Sequence, residues 1–413
     1  MTDIYDTLII GGGAAGLMAG CALSRAGRHV VVLEKQDRVG RKLLSTGNGR
    51  CNLSNLNAAP ARYHGSRQAV RMALRAWPPK KVLEIFEGLG IPCSADDEGR
   101  VYPLSRQAAS VLDALRLGCD ENGAETLTGF AVTGLSRDGR AFTAVAADGR
   151  RVRGRTALVC AGGLAAPKLG ACGDGHRLLE ALGHAVTPRF PAIAALKTPP
   201  EAVRGLKGLR AEVSLALLVD GQAVREEAGE LLLTDYGLSG IAAMQLARSA
   251  NEALRAGRRC AARIDFAPGR DARALLEARR DSLPRRAMED FLNGIVPRRL
   301  GQTLARAAGL ELSLPAARLD AARLGALAAV LSGWTLPITG TQGFDQAQVT
   351  AGGASLKDFD LRTLESLRVP GLYAAGEVLD VDGDCGGYNL HWAWASALTA
   401  AAGIDSGLSE GRA

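Results

Sequence analysis

The stretch Tyr5–Glu34, YDTLIIGGGAAGLMAGCALSRAGRHVVVLE, decides the fold. Its first part, Tyr5–Ile10, is a short apolar run that predicts a β-strand, and the Ala-rich run after it predicts a helix to about Ala26. His29–Leu33 is a second apolar run, which predicts a second strand that ends at Glu34. A strand, a tight turn, a helix and a strand in this order predict the βαβ unit of a Rossmann-like α/β domain.

The predicted turn carries a G-x-G-x-x-G motif formed by Gly11, Gly13 and Gly16. Gly13 has no side chain to block a pyrophosphate, and Gly16 allows the helix and the strand to pack closely. The helix N-terminus offers free N–H groups to phosphates, and Glu34 is placed to accept hydrogen bonds from a ribose. These features predict a dinucleotide site, with a Gly-rich turn that binds no ligand as the alternative.

A second Gly-rich segment near the C-terminal end favours FAD among the dinucleotides. Gly376–Glu377 follows the predicted strand Gly371–Ala375, and Asp382–Asn389 leads into a predicted helix. In this layout the first unit holds the ADP half, and the last helix directs its N-terminus at the pyrimidine edge of the flavin. The loop Gly40–Asn52 is dense in Gly and cations, which favours contact with a phosphate or the flavin; a solvated surface loop is the alternative.

Composition and charge limit the classes of partner. The chain has 413 residues, 23% of them charged, and a net charge of +7, which is typical of a globular protein of two or three domains. The positive charge looks thinly spread, so nucleic acid is an unfavoured partner. None of the eight cysteines forms a C-x-x-C pair, so we predict no metal site. Dispersed thiols and the lack of a membrane-spanning run favour a cytoplasmic protein without a membrane partner.

Seven segments resemble the BaiN/YhiN-like family of bacterial flavoproteins over nearly the whole chain. They are IIGGGAAGL at Ile9–Leu17, GRKLLSTGNGRCNLSN at Gly40–Asn55, RVYPLSRQAASVLDAL at Arg100–Leu115, AGGLAAPKLGACGDGHRLLEALGH at Ala161–His184, GELLLTDYGLSG at Gly229–Gly240, GFDQAQVTAGGA at Gly343–Ala354 and GLYAAGEVLDVDGDCGGYNLHWAWASA at Gly371–Ala397. The resemblance implies an α/β fold: a glutathione-reductase-type, Rossmann-like FAD-binding domain, interrupted by a β-barrel-like domain that carries a helical subdomain. The predicted bounds are 1–188 and 345–413 for the FAD-binding domain, 189–268 and 326–344 for the barrel-like domain, and 269–325 for the helical subdomain.

The motifs and the resemblance together predict which residues contact FAD. Val132 is implied by the resemblance alone, through its backbone near the adenine. The full set is Gly11, Gly13, Ala14, Ala15, Gly16, Glu34, Lys35, Arg41, Lys42, Ser45, Gly47, Gly49, Arg50, Cys51, Asn52, Val132, Ala161, Gly162, Gly376, Glu377, Asp384, Gly387, Tyr388 and Asn389.

The resemblance implies an FAD-dependent oxidoreductase that reduces an enone-like small molecule with NADH or NADPH. No second well-formed G-x-G-x-x-G motif follows a strand, so the reduced nicotinamide is expected to dock only transiently. Two alternatives stay open. One is a flavoprotein that acts on RNA through its Arg-rich helical insert, and the other is a flavin-binding redox regulator that is not an enzyme.

Four residues are catalytic candidates. His391, near the start of the last helix, would stay neutral there and could donate a proton to the reduced substrate. Tyr388 is a weaker candidate of the same kind, and so is Asp235, where the family usually shows a His. Cys51 would be a thiol close to the flavin. For each, a packed side chain without a chemical role is the alternative.

Overall fold

The computed structural model describes residues 4–139 and 141–411. The chain divides into two compact units, one formed by the residues up to Phe190 and from Gln348 onward, the other by Pro191–Ala347. The predicted insertion, 189–344, begins two residues before the start of the second unit and ends three residues before the end of that unit. In the part of the chain that the structure describes, no helix is both long and apolar enough to cross a bilayer.

The first unit contains most of the α/β elements. Its strands are β1 (Tyr5–Ile10), β2 (Val30–Leu33), β3 (Ser54–Asn55), β4 (Tyr63–Gly65), β5 (Cys93–Ala95), β6 (Arg100–Pro103), β7 (Glu125–Leu127), β8 (Val132–Asp138), β9 (Ala141–Ala146), β10 (Arg151–Val159), β19 (Val349–Ala351), β20 (Leu372–Ala374) and β21 (Val381–Gly383); β11 (Phe190–Ala192) spans the division. Its helices are α1 (Ala14–Arg25), α2 (Arg41–Ser45), α3 (Arg67–Ala76), α4 (Pro79–Gly88), α5 (Ala108–Asp120), α6 (Asp174–Ala181) and α12 (Tyr388–Ser409).

The main sheet of this unit has seven strands, and five of them are parallel neighbours in the order β7, β2, β1, β10 and β20. The antiparallel strands β9 and β8 continue from the first half of β10. Val30–Leu33 and Leu8–Ile10 are buried throughout, as expected for strands covered on both faces. The parallel arrangement brings the C-terminal ends of β1, β2, β10 and β20 to one edge, where a doubly wound sheet binds its ligand.

Helix α12 anchors the C-terminal part of the chain in this core. It packs against α1, and Trp394 is fully buried at 0% exposure. Its indole N–H donates to the Leu53 carbonyl at 2.9 Å, and the Trp392 indole N–H donates to the Gly376 carbonyl at 3.1 Å. Both large rings therefore fill the core without leaving a polar atom unpaired, and they attach α12 to the loops before β3 and after β20.

The second unit combines one sheet with several helices. Its strands are β12 (Leu196–Lys197), β13 (Arg210–Val219), β14 (Gln222–Leu233), β15 (Gly237–Ser239), β16 (Cys260–Asp265), β17 (Trp334–Ile338) and β18 (Gly340–Thr341); its helices are α7 (Ile241–Arg255), α8 (Ala272–Ser282), α9 (Met288–Phe291), α10 (Arg298–Ala307) and α11 (Ala321–Gly333). The sheet order is β17-β16-β13-β14-β15-β12-β18. Among the described residues no ladder joins β17 to β18, so barrel-like closure stays a prediction.

Two features of this unit differ from the sequence prediction. Helix α7 lies inside 189–268, which we predicted as part of the barrel-like domain, and outside the predicted helical subdomain 269–325. Helix α11 continues to Gly333, so the strands resume at Trp334 and not at residue 326. The reason is a continuous apolar stripe on α11, in which Leu324, Leu327 and Leu331 are fully buried at helical spacing and so extend the helix.

Candidate functional site

The turn between β1 and α1 has two glycines with opposite surroundings. A side-chain carbon built on Gly16 would lie 1.9 Å from the Gly11 carbonyl oxygen, so this position admits no side chain. A carbon built on Gly13 would meet no protein atom within 4 Å. Gly16 is therefore needed for packing, whereas the absence of a side chain at Gly13 serves no contact within the protein and leaves room for a ligand.

The N-terminus of α1 has no side-chain cap and no acidic residue in its first turn. Three other helices are capped, α3 by Ser66, α8 by Asp271 and α11 by Asp320. The first N–H groups of an uncapped helix lack intrahelical partners and carry a partial positive charge. Next to the open space at Gly13, the Ala14–Gly16 turn is thus chemically suited to a diphosphate.

Glu34 follows β2 and faces the same turn. One of its carboxylate oxygens accepts from the Gly12 N–H at 2.9 Å, and the other accepts from the Gln36 N–H at 2.8 Å. Each oxygen retains lone pairs for a further donor such as a ribose hydroxyl. The Phe130 N–H donates to the Glu34 carbonyl at 2.8 Å, so the chain entering β8 at Val132 returns to this end of β2.

The cationic residues predicted to contact the cofactor are paired with protein groups. Lys42 Nζ lies 2.6 Å from Glu377 Oε2, and Glu377 Oε1 accepts from the Thr350 N–H at 2.9 Å. The pair joins α2 to the turn after β20, two segments that the sequence places 335 positions apart. Lys35 forms an ion pair with Asp174, and Arg41 donates to the Gln36 side chain. These pairs fix the segments relative to one another.

The Gly-rich loop Thr46–Asn52 meets the N-terminus of α12. The side-chain amide of Asn52 is oriented so that both its nitrogen and its oxygen have hydrogen-bond partners. The nitrogen donates to the Ser54 and Val101 carbonyls, and the oxygen accepts from the Gly387 N–H at 3.1 Å. A side-chain carbon on Gly387 would lie 2.3 Å from the Ser54 carbonyl oxygen. This close approach, rather than a ligand, explains a glycine at position 387.

The side chains of the loop before α12 are also held by the protein. Asn389 accepts from the Gly383 N–H at 2.8 Å and donates to the Gly383 and Asp384 carbonyls. Asp384, 7% exposed, lies 3.3 Å from His64 Nε2 and 3.7 Å from Arg62. The Asn389 side chain is therefore engaged within the loop and the Asp384 side chain with residues in and beside β4, so the backbone of the loop, more than these side chains, is left to meet a ligand.

The other predicted cofactor residues lie on the same loops. Ala161 and Gly162 follow β10, and the Ala161 Cα approaches Gly11 closely. The Gly376 N–H donates to the Ser396 hydroxyl at 2.9 Å. In the loop after α2, Gly47 and Gly49 have left-handed backbone, the Ser45 hydroxyl donates to the Lys42 carbonyl, and exposed Arg50 stacks over the Tyr102 ring.

The geometry argues against His391 as a proton donor. Its ring is fully buried, with Nδ1 2.9 Å from the Ser54 hydroxyl and Nε2 3.1 Å from the Trp77 carbonyl oxygen. Burial lowers the pKa of His391 to about 4. Both ring nitrogens are engaged by the protein, so the imidazole connects α12 to β3 and to the end of α3.

Asp235 is equally unsuited to proton donation. It is exposed and lies 2.6 Å from Lys207 Nζ, and this lysine lowers the pKa of the Asp235 carboxyl. The group is therefore a carboxylate at neutral pH and has no proton to give.

Tyr388 stays a candidate on geometric grounds. It is 5% exposed at the start of α12, and its ring meets the Tyr63 ring edge-on at 5.9 Å. Burial raises the pKa of Tyr388, so the phenol remains protonated at neutral pH. The hydroxyl of Tyr63 is itself buried without a hydrogen-bond partner among the described residues. Sequence reasoning did not find Tyr63, since nothing local distinguishes it.

The Cys51 thiol is buried at 0% exposure, and burial raises its pKa to about 12. We therefore expect it to resist alkylation at pH 8, because the reactive thiolate is almost absent. Iodoacetamide treatment of the native protein, read by peptide mass spectrometry, should modify exposed Cys172 and leave Cys51 free. Labelling of Cys51 as fast as Cys172 would contradict this and revive the hypothesis of a reactive thiol near the flavin.

Comparison with known proteins places this chain in a family. The family described as "HI0933-like protein Rossmann domain" matches residues 5–403. The 3-dehydro-bile acid delta(4,6)-reductase of Clostridium scindens is 36% identical over 95% of this chain and 97% of its own. The ribosomal RNA dihydrouridine synthase of Escherichia coli is 30% identical, covering 96% and 97%.

A solved structure shows the same fold. The 3-ketosteroid-delta4-(5alpha)-dehydrogenase of Rhodococcus jostii RHA1 superimposes with a TM-score of 0.54 over 98% of both chains, at 16% identity. The Rossmann-type fold predicted from Tyr5–Glu34 is thereby confirmed, and so is the predicted family relationship. The chain belongs to the HI0933-like Rossmann-domain family.

Proposed function

We propose that this enzyme is an FAD-dependent oxidoreductase that saturates a carbon–carbon double bond conjugated to a carbonyl group. The observation that carries the proposal is the 36% identity, over almost both full lengths, to a bile acid reductase. The second relative is named for making dihydrouridine, which also requires saturation of a double bond next to a carbonyl. The two substrates differ greatly in size, whereas the reacting group is of one kind.

The residues around the β1–α1 turn fit FAD. The open space at Gly13 and the uncapped α1 suit its diphosphate, and the Glu34 carboxylate suits the ribose hydroxyls. Bound FAD would supply hydride transfer between a reduced nicotinamide and the substrate. The Lys42–Glu377 pair and the Asn52–Gly387 contact would hold the loops that surround it.

Reduction of the double bond adds a hydride to one carbon and a proton to the other. Tyr388 is our proposed proton donor, since burial keeps its phenol protonated while its neighbours hold the ring in place. A phenol with a raised pKa is a weak acid, but the α-carbon of a ketone is a weaker one, so proton transfer from Tyr388 to the carbon of a developing enolate is still downhill. Cys51 and His391 take no part in this scheme.

The test is an anaerobic spectrum of FAD-loaded enzyme. NADH or NADPH should bleach the visible flavin band, and a Δ4-3-ketosteroid or a uridine-containing RNA should restore it. Replacing Tyr388 by Phe should slow the restoration at least about 100-fold and leave the bleaching unchanged. The matched control is Tyr63→Phe, which removes a buried hydroxyl that has no hydrogen-bond partner in the part of the chain that the structure describes.

Three outcomes would refute parts of this proposal. A flavin band that no nicotinamide bleaches would exclude NAD(P)H as the donor. Restoration at the wild-type rate in Tyr388→Phe would exclude Tyr388, and reduced enzyme that neither acceptor reoxidises would exclude reduction of a conjugated double bond.

A further inference from the structure

The net positive charge of this chain is concentrated in one segment. Between Asp37 and Glu84 lie 46 residues with ten Lys or Arg and no Asp or Glu. The expectation that positive charge is thinly spread along the chain is therefore wrong for this segment. Six of these cations lie in or next to β4, α3 and the start of α4, and all six are exposed; they are Arg62, Arg67, Arg71, Arg75, Lys80 and Lys81.

Helix α3 orders half of them into a stripe. Arg67, Arg71 and Arg75 recur every four residues, so they lie on one face with a rise of about 6 Å between neighbours. The opposite face of the helix, with Val70 and Ala73, is buried in the core. In the described part of the chain none of the three guanidiniums forms an ion pair with an acidic side chain, and like charges at this spacing repel one another. An unneutralised stripe of this kind suits a polyanion.

The Arg-rich helical segment of the second unit has a different charge balance. Residues 269–325 contain 11 Arg but also seven Asp or Glu. Arg298 is paired with Glu289 and Asp290, Arg273 with Glu277, and Arg280 with Asp281. Much of this charge is thus neutralised locally, which makes α3 the stronger candidate for a polyanion surface.

The stripe is attached at both ends to the loops of the candidate site. At its start, the Ser66 N–H donates to the Asp380 carbonyl at 3.4 Å, next to β21. Beyond its end, the Trp77 carbonyl lies 3.1 Å from His391 Nε2 on α12. A strand of polyanion lying along α3 would therefore be held beside the segment that leads into Tyr388.

We propose that the exposed face of α3 binds the phosphodiester backbone of RNA and so presents a uridine to this enzyme. The binding surface stands on the charge distribution alone; only the purpose of binding rests on the proposed reduction. An anionic membrane is the less suitable partner, because membrane-surface helices insert an exposed apolar face and the apolar face of α3 is buried. Backbone contacts of this kind give affinity that falls steeply with salt.

The test uses FAD-loaded enzyme and a fluorescein-labelled, uridine-containing single-stranded RNA, with binding followed by anisotropy from 50 to 200 mM salt. The triple variant R67Q/R71Q/R75Q should bind at least about ten-fold more weakly, and its log–log salt slope should be smaller by about two. The matched control R285Q/R299Q/R306Q removes the same charge from exposed second-unit arginines that form no ion pair in the described chain, and it should bind RNA like the wild type.

Other results would overturn the proposal. An equal loss of RNA affinity in both variants would mean that only the net charge of the protein matters. A loss of RNA affinity confined to the control would place the RNA surface on the second unit. If the wild type bound phosphatidylserine vesicles but not RNA, and the α3 variant lost this vesicle binding, the stripe would be assigned to a membrane. Failure of the RNA surface is distinguishable from failure of the proposed function, because ketosteroid reduction by the α3 variant reports on the active site without RNA.

Discussion

Gly16→Ala should prevent the first unit from folding and thereby abolish FAD retention. The new methyl carbon would lie 1.9 Å from the Gly11 carbonyl oxygen, and backbone on both sides of this contact is fixed by the β1–α1 turn. This clash is relieved only if α1 moves away from β1. We expect that movement to lower the free energy of unfolding by more than about 4 kcal/mol, a large part of the stability of a typical domain. The measurement is the soluble yield and the urea midpoint of the purified protein.

Gly13→Ala is the matched control and should behave in the opposite way. Its methyl carbon meets no protein atom within 4 Å, and the backbone at this position, with φ −86° and ψ −165°, suits alanine. We expect the unfolding free energy of the apo-protein to stay within about 0.5 kcal/mol of the wild type. FAD affinity should fall at least about ten-fold, since the methyl group occupies the space that the diphosphate needs.

The pair of variants separates two explanations of the motif. Loss of FAD in Gly13→Ala with unchanged stability means that the open space is a ligand site. Wild-type FAD affinity in Gly13→Ala would contradict the placement of the diphosphate there. Normal folding of Gly16→Ala would show that the close approach of α1 to β1 is not required.

The sequence predicted the nucleotide-binding unit because its signals are local. Apolar runs, a Gly-rich turn and an acid after the second strand all lie within Tyr5–Glu34, and β1, α1 and β2 end within two residues of the predicted limits. Helix α7 was missed for an equally local reason. Its buried face consists mostly of alanines, such as Ala243, Ala247 and Ala250, and small residues give a weak periodic signal.

Side-chain pairing was beyond sequence reasoning because it joins distant segments. Lys42 and Glu377 were both predicted to contact the cofactor, yet they contact each other across 335 positions. A cation in a Gly-rich loop looks like a phosphate ligand until its partner is known. The unpaired stripe on α3 illustrates the converse, since only the structure shows which arginines lack an acidic neighbour.

His391→Leu should destabilise the protein by about 3 kcal/mol without a change in turnover per bound flavin. Leucine removes both hydrogen bonds of a fully buried ring and leaves the Ser54 hydroxyl and the Trp77 carbonyl unpaired. His391→Gln keeps a donor near the position of Nε2 and should cost less. Urea midpoints and the rate of anaerobic flavin reoxidation measure the two quantities; a folded, FAD-loaded Gln variant without turnover would restore His391 as the proton donor.

The same residue makes the stability of the wild type depend on pH. The unfolded chain takes up a proton at His391 near its ordinary pKa of 6.5, whereas the folded protein does so only near 4. Protonation therefore favours unfolding, so the stabilisation is complete above pH 6.5 and is lost as the pH falls to 4, by up to about 3 kcal/mol. Burial lowers the pKa of His176 and His184 in the same direction, so both should add to this loss. In His391→Gln the unfolding free energy should consequently fall less between pH 7 and pH 4 than in the wild type, and an unchanged slope would mean that the buried imidazole is not the group that titrates.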